Sequence, residues 1–379
     1  MERKFPSLKE VAELAGVSFQ TVSKVLNGSA VRVAPETAER IWTAAAQLNY
    51  SPNAVARGLV QQATSTIGLV VGDMTDMALA RFAVGVDQAA RRAGHAILVV
   101  NLGLDRSGWA RAVRALFEHR VDGIIAAAPE LEDEEEFGEL LRSRVASVSL
   151  QHVPGGGVPV VGSSHREVGE IATEHLVRLG HTRIATICGP RDRRVVRSRL
   201  HGWQASLRDA GLRSGTELIA EGDWSAESGA RCLQQLLERD RSISAVFVHS
   251  DLMAVGVLGV ASELGVRVPE DLAVVSCDDM PWAGFLSPPL SSVRLPYTET
   301  GEEAVELLLK LLRGEEVEPR SVLLPVELMV RRSSGGPRSA QARKRIVPGG
   351  RRPSRRGDPD PHGADVAVAP GEVGDRGEP

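Results

Sequence analysis

Residues 8–27 read Leu-Lys-Glu-Val-Ala-Glu-Leu-Ala-Gly-Val-Ser-Phe-Gln-Thr-Val-Ser-Lys-Val-Leu-Asn. Val11, Leu14 and Ala15 recur at helical spacing, and Gly16 stands where the backbone must turn sharply. Ser18 suits a helix N-cap, and Val22, Val25 and Leu26 give the following helix its own apolar face. The other face of that helix carries Phe19, Gln20, Thr21, Ser23, Lys24 and Asn27. Two short helices about a glycine turn, the second polar outward, form the pattern of a helix-turn-helix. Gln, Ser, Thr, Asn and Lys are side chains that pair with base edges in a major groove or with phosphates beside it.

Working outward, Ile41, Ala44, Ala45 and Leu48 after Pro35 predict a third amphipathic helix, enough to close a three-helix unit. Asn49-Tyr50-Ser51-Pro52-Asn53-Ala54-Val55-Ala56-Arg57-Gly58-Leu59 comes next. Ser51 as N-cap and Pro52 at the first helical position start a fourth, very short helix. Such a helix cannot repay its nucleation in water and needs a partner. From residue 66 onward, strand-like runs alternate with helical stretches. Ile67–Val71, Ala96–Asn101, Gly123–Ala127 and Ala146–Leu150 form one series; Arg183–Cys188, Ala245–Val248 and Ala273–Ser276 form a second. This alternation predicts parallel sheets covered on both faces, in two lobes, with ligands at the carboxyl ends of the strands.

On these residues the chain resembles the LacI/GalR family of transcriptional regulators, from about residue 7 to residue 331. The motifs are the helix-turn-helix, the segment Tyr50–Arg57, and Thr66-Ile67-Gly68-Leu69-Val70-Val71 opening the next domain. The resemblance implies an all-α helix-turn-helix headpiece joined to an α/β, two-lobed core like that of periplasmic binding proteins. The DNA-binding domain spans 6–50, the hinge helix 51–62 and the effector-binding core 66–331. Lobe 1 takes about 66–163 and 293–322, and lobe 2 about 164–292 and 323–331, with crossings near 163, 292 and 323. It further implies that Ser18, Phe19, Gln20, Thr21, Ser23, Lys24 and Asn27 face the major groove. Asn53, Ala56 and Leu59 then dock in the minor groove, Leu59 as a wedge between base pairs.

The predicted strand ends offer polar residues for a ligand: Asp73 and Asp76 after the first strand, Asp278 and Asp279 after the last. Arg199, in Arg197-Ser198-Arg199-Leu200-His201-Gly202-Trp203, is similar to a family signature whose arginine grips ligand hydroxyls. Trp224, in Glu221-Gly222-Asp223-Trp224-Ser225-Ala226-Glu227-Ser228-Gly229, is similar to a family tryptophan that packs on a sugar face. Asp76, Arg199, Trp224, Ser250 and Asp278 are therefore the expected effector residues, a set suited to sugar hydroxyls. The chain also departs from the family. Ser250 replaces an asparagine, Leu295 a glutamine, and Asp76-Met77-Ala78-Leu79 an Asn-Pro-Phe-Phe run. These changes remove amide donors and aromatic rings, so the relatives' ligand does not carry over with the fold.

The net charge of −4 over 379 residues does not announce nucleic acid, but residues 1–62 hold seven Lys/Arg against five Asp/Glu. A small reader domain need only be locally basic. Cys188, Cys232 and Cys277 lie far apart without metal-ligand spacing, which argues for a reducing compartment and against a disulfide framework or zinc. The N-terminus lacks the apolar core of a signal peptide and no apolar run approaches a membrane span, so a cytoplasmic protein with no membrane partner is expected. No nucleophile elbow, phosphate loop or His-Glu-x-x-His is present, and Asp278 and Asp279 are adjacent on a turn where their side chains should diverge. The expectation is a non-enzyme without cofactor or metal, a homodimer that binds a palindromic double-stranded operator and a small-molecule effector such as a sugar. Two alternatives stand beside it: a corepressor-dependent repressor or activator with a non-sugar effector, and a sugar-binding transport protein, which would lack residues 7–62. Residues 332–379, rich in Gly, Pro and Arg with Arg343, Lys344, Arg345, Arg351, Arg352, Arg355 and Arg356 clustered, read as a disordered tail.

Overall fold

Ser7 opens the first helix, α1 (Leu8–Ala15), with a capping box: its hydroxyl oxygen accepts the Glu10 amide, and the Glu10 carboxylate accepts the Ser7 amide at 2.7 Å. Gly16 closes it in the left-handed region (φ 65°), where a side chain would be strained. Ser18 then caps α2 (Phe19–Leu26) by accepting the Thr21 amide at 3.2 Å. α3 (Pro35–Gln47) starts on its proline. Val11, Ala12, Ala15, Val22, Leu26, Ile41, Ala44 and Ala45 meet in one small buried core. The structure is a computed structural model that describes residues 6–26, 33–51, 63–103, 108–143, 145–150, 152–318 and 321–335.

The rest of the described chain forms two parallel α/β lobes. The first contains β1 (Thr66–Val71), α4 (Met77–Arg92), β2 (Ala96–Asn101), α5 (Trp109–Glu118), β3 (Gly123–Ala127), α6 (Glu135–Ser143), β4 (Ala146–Ser149) and β5 (Val160–Ser163). The second contains α7 (His165–Arg178), β6 (Ile184–Cys188), α8 (Arg194–Asp209), β7 (Ile219–Glu221), α9 (Ala226–Arg239), β8 (Ala245–Val248), α10 (Asp251–Glu263), β9 (Ala273–Asp278) and β10 (Ser291–Arg294). The chain then returns to the first lobe for α11 (Tyr297–Leu312) and β11 (Ser321–Leu324), and ends in the second with β12 (Glu327–Met329).

Strand order is β11-β5-β4-β3-β1-β2 in one sheet and β12-β10-β9-β8-β6-β7 in the other. All pairings are parallel except β10 with β12. The central strands β3, β6, β8 and β9 are buried along their whole length, which is why they read as unbroken apolar runs.

Two expected crossings shift by a strand end. β10 stays in the second sheet through Arg294 and β11 stays in the first through Leu324, so the chain crosses after 294 and after 324. The predicted start of the tail is corrected as well. Ser333 and Ser334 are buried: Ser333 Oγ donates to the Val274 carbonyl at 2.7 Å, and Ser334 Oγ lies 2.7 Å from Ser291 Oγ. These hydroxyls bind residues 332–335 to the second sheet. The rest of the tail, the hinge segment 52–62 and the groove-facing Asn27, Asn53, Ala56 and Leu59 lie outside the described residues.

Neighbouring helices in each lobe touch backbone to backbone through glycine. A Cβ on Gly85 would stand 2.0 Å from the Thr298 carbonyl oxygen, one on Gly169 2.1 Å from that of Arg199, and one on Gly256 1.7 Å from that of Ala226. Gly256→Ala should therefore push α9 and α10 apart and cost about 1–3 kcal/mol. Gly259→Ala, on the same helix and with nothing within 4 Å of the new Cβ, should be neutral or stabilise by up to about 1 kcal/mol. Thermal unfolding of the two variants separates close packing from helix propensity.

Candidate effector cleft and nucleic-acid interface

α2 buries Val22 and Leu26 against α1 and α3 and leaves Phe19, Gln20 and Lys24 exposed. Ser18 and Thr21 are engaged at the helix start, their hydroxyls 2.8 Å apart. Ser23 is half-buried on the same outer face. The helix thus presents one apolar side chain, one amide and one cation beyond its own core, the side-chain mix that recognises base edges and phosphates.

In the core, four of the five expected effector residues gather at the carboxyl ends of the second sheet. Asp278 ends β9, Ser250 follows β8, Trp224 follows β7, and Arg199 projects from α8, which follows β6. Asp76, exposed after β1, comes from the opposite lobe and lies within electrostatic range of both Arg199 and Asp278. Open α/β sheets place ligands at this strand edge.

Arg199 is 4 % exposed. One terminal nitrogen donates to the His249 carbonyl, and the other approaches His165 Nδ1 at 3.3 Å. A guanidinium only donates, so His165 must accept through an unprotonated Nδ1. Burial, reinforced by the Arg199 charge, pushes the His165 pKa down to about 3 and keeps the ring neutral for that role. Burial works against the guanidinium itself, but Cys277, Asp278 and Tyr297 outweigh it and its pKa is raised. Its Nε is buried with no hydrogen-bond acceptor placed on it among the described residues.

Asp278 has φ 112° and Asp279 φ 49°, a strained turn that sends the two carboxylates apart, as their adjacency suggested. Asp278 Oδ1 accepts the Tyr297 hydroxyl at 2.7 Å, while Asp279 pairs with Arg294 at 2.7 Å and Arg331 at 2.6 Å. Burial pushes the Asp278 carboxyl up to about 7; Arg199 and the tyrosine hydroxyl pull it down, Asp251 and Asp76 push it further up. Trp224 takes a left-handed backbone (φ 73°) that turns its half-buried indole onto Gly189, where a Cβ would stand 2.3 Å from Cζ2. It also packs with Cys188, Val196 and Leu200.

Ser250 proves to be the N-cap of α10: its side chain accepts the Met253 amide at 3.2 Å. Asp251 accepts the Ser276 hydroxyl, the Ser292 hydroxyl at 2.7 Å and the Met280 amide at 2.6 Å, so its acceptors are filled within the fold. Sequence reasoning missed Tyr297, His165 and His249. A tyrosine opening a helix after Leu295-Pro296, or a lone histidine next to a serine, gives no periodic signal. A cavity of about 360 Å³ lies beside these residues rather than among them, lined by Arg81, Asp279, Met280, Pro281, Arg294, Glu299 and Arg331. Among the described residues no group of three or more His, Cys, Asp or Glu could hold a metal ion. No described helix is long and apolar enough to cross a membrane.

Residues 7–53 match the family model of bacterial regulatory proteins, lacI family, and residues 173–334 match that of a periplasmic binding protein-like domain. The HTH-type transcriptional regulator CelR of Thermobifida fusca is 36 % identical over 346 residues, covering 87 % of this chain and 99 % of its own. The chain belongs to the LacI family. The HTH-type transcriptional repressor PurR of Aliivibrio salmonicida is 31 % identical over 329 residues, 86 % of this chain and 98 % of its own. Among solved structures, the lac repressor dimer bound to operator and the anti-inducer ONPF has a TM-score of 0.81 at 32 % identity, covering 87 % of this chain and 99 % of the other. A CelR–cellobiose complex has a TM-score of 0.63 at 34 % identity, with coverages of 86 % and 99 %. As a LacI-family member with headpiece and core both in place, this chain is a DNA-binding transcriptional regulator whose core responds to a small-molecule effector.

Proposed function

We propose that this regulator is a homodimeric repressor that holds a palindromic operator through α2 and releases it when a neutral, hydroxyl-rich molecule such as a sugar enters the cleft. One observation carries the effector reading. Arg199 and Asp278, a buried cation and a buried acid, interact at the strand edge, and the Trp224 indole packs on Leu200, the residue after Arg199. Charged groups that fix hydroxyls, with an aromatic ring to cover C–H faces, form a sugar-reading set. Asp76 and Asp278 at the same edge disfavour an anionic ligand. Arg199, Asp278, Trp224 and Tyr297 are the residues assigned to the effector, with Asp76 at the rim.

Phe19, Gln20 and Lys24 are assigned to base edges, with Ser18, Thr21 and Ser23 at phosphates beside them. The dimer follows from twofold operator reading, and both lobes expose apolar side chains that a second copy can cover: Met77, Val84 and Val99 on the first, Leu252 and Phe285 on the second.

The test is selection of bound sites from random DNA, followed by a screen of sugars for release. A twofold-symmetric consensus released by at least one sugar is expected; a consensus without symmetry, or indifference to every sugar, refutes the proposal. Gln20→Ala should change the preferred base at one position of each half-site, at about 1–3 kcal/mol of discrimination. Uniform weakening across all sites would show that Gln20 does not read bases.

A further inference from the structure

The first turn of α8 is not capped by its own chain neighbour. Arg193 occupies the N-cap position and makes no side-chain cap. Instead the Arg194 amide donates to Glu132 Oε1 at 2.8 Å, from the turn that follows β3 in the opposite lobe. Glu132 is only 4 % exposed. Three further contacts join the same two segments. Arg193 Nη1 donates to the Pro129 carbonyl at 3.1 Å, Arg194 pairs with Asp133 at 3.1 Å, and Arg197 lies 3.9 Å from the same carboxylate. The contacts are reciprocal: a carboxylate of lobe 1 satisfies an orphan amide of lobe 2, and a guanidinium of lobe 2 satisfies a carbonyl of lobe 1. They lie away from the crossing strands, which occupy the β11-β5 and β12-β10 edges of the sheets.

The helix held in this way is the one that carries Arg199. Arg199 lies five positions along the helix from Arg194, about 7.5 Å along the axis, and a helix transmits an axial shift without absorbing it. We propose that Glu132 is a positioning residue for the effector site: by capping α8 from the other lobe, it ties closure of the cleft to the placement of Arg199. Cleft closure and effector grip are then one event. A ligand that engages Arg199 favours the clasped pose, and rupture of the clasp withdraws the arginine from the ligand. The clasp rests on the reading of Arg199 as an effector contact only in this last step; the lobe contact itself does not.

The test needs no effector. Spin labels are placed on the full-length protein at Glu118 and Arg208, both exposed and one in each lobe. Cys188, Cys232 and Cys277 are buried and should stay unlabelled. Labelled chains are diluted into unlabelled protein so that each dimer carries one labelled copy. Glu132→Ala should lengthen and broaden the interlobe distance by several ångströms. It should also speed amide exchange over residues 194–197 about tenfold, the size of a lost cap. Glu132→Gln keeps the acceptor oxygen and should restore both. A merely local capping role would change exchange but leave the distance alone. Unchanged distances in Glu132→Ala, or no rescue by Glu132→Gln, overturn the clasp and leave the role of Arg199 standing. A clasp that behaves as described, in a protein whose Arg199 variants still respond to effector, overturns the effector reading instead.

Discussion

Arg199→Ala should lower the unfolding free energy by about 3–5 kcal/mol and leave operator binding indifferent to ligand. The guanidinium is 4 % exposed, and its loss removes the donor to the His249 carbonyl and the cation that holds down the Asp278 carboxyl. Truncating one partner of a buried charge pair leaves the other uncompensated, which accounts for the large figure. Arg199→Met should cost less, because it fills the volume, yet should abolish the ligand response equally. Calorimetric unfolding measures the first effect, and operator release across a sugar panel measures the second. An alanine variant as stable and as responsive as the parent would remove Arg199 from the site.

The second large effect is with pH. Asp278 is raised from 3.8 to about 7 in the fold. It therefore binds its proton more tightly folded than unfolded, and its contribution to stability falls as pH rises through the window from about 4 to about 7. A carboxyl displaced that far corresponds to about 4 kcal/mol across the window. Asp251, whose pKa is raised chiefly by burial, adds to the same slope. Asp278→Asn should therefore flatten, without abolishing, the fall in unfolding free energy between pH 4 and 7.

Ligand binding should run the other way. A hydroxyl that donates to Asp278 needs the ionised form, so affinity should rise through pH 7 with release of a proton. The groups that set this are those around the carboxyl: Arg199, Asp251, Asp76 and the Tyr297 hydroxyl. Titration calorimetry in buffers of different ionisation enthalpy reads the proton directly. An identical pH slope in the parent and in Asp278→Asn would assign the titration to another group.

Most of the fold was legible because its signals are strong and local. Gly16 and the spacing of Val11, Ala15, Val22 and Leu26 mark the headpiece, and buried central strands such as Gly123–Ala127 and Ala245–Val248 are apolar without interruption. The segments that escaped are the three-residue edge strand β7 and the strands joining the lobes. β5, β10, β11 and β12 are three or four residues long, and β10 reads Ser-Ser-Val-Arg, with no apolar run to announce it.

At the site, Arg199 and Trp224 were legible through motif resemblance and Asp278 through its place at a predicted strand end, and all three lie at the carboxyl edge of one sheet. Ser250 was placed there too, but its hydroxyl caps a helix. Tyr297 meets Asp278 only because α11 starts in the other lobe, a contact between residues 19 apart that no pattern along the chain encodes. The Glu132–Arg194 contact spans 62 residues and was invisible for the same reason.

The interlocked glycines of α7 and α8 carry a mechanical consequence. A Cβ on Gly169 would strike the Arg199 carbonyl, and one on Gly202 the Arg166 carbonyl, each at 2.1 Å, so the two rods have no slack between them. If Arg199 holds the effector as proposed, a pull on its guanidinium acts on both rods together. One end of that pair, His165, sits two residues beyond the last residue of β5, next to the lobe-to-lobe connection. A bulkier residue at Gly169 would displace the backbone of Arg199 itself, so hold and relay should weaken together.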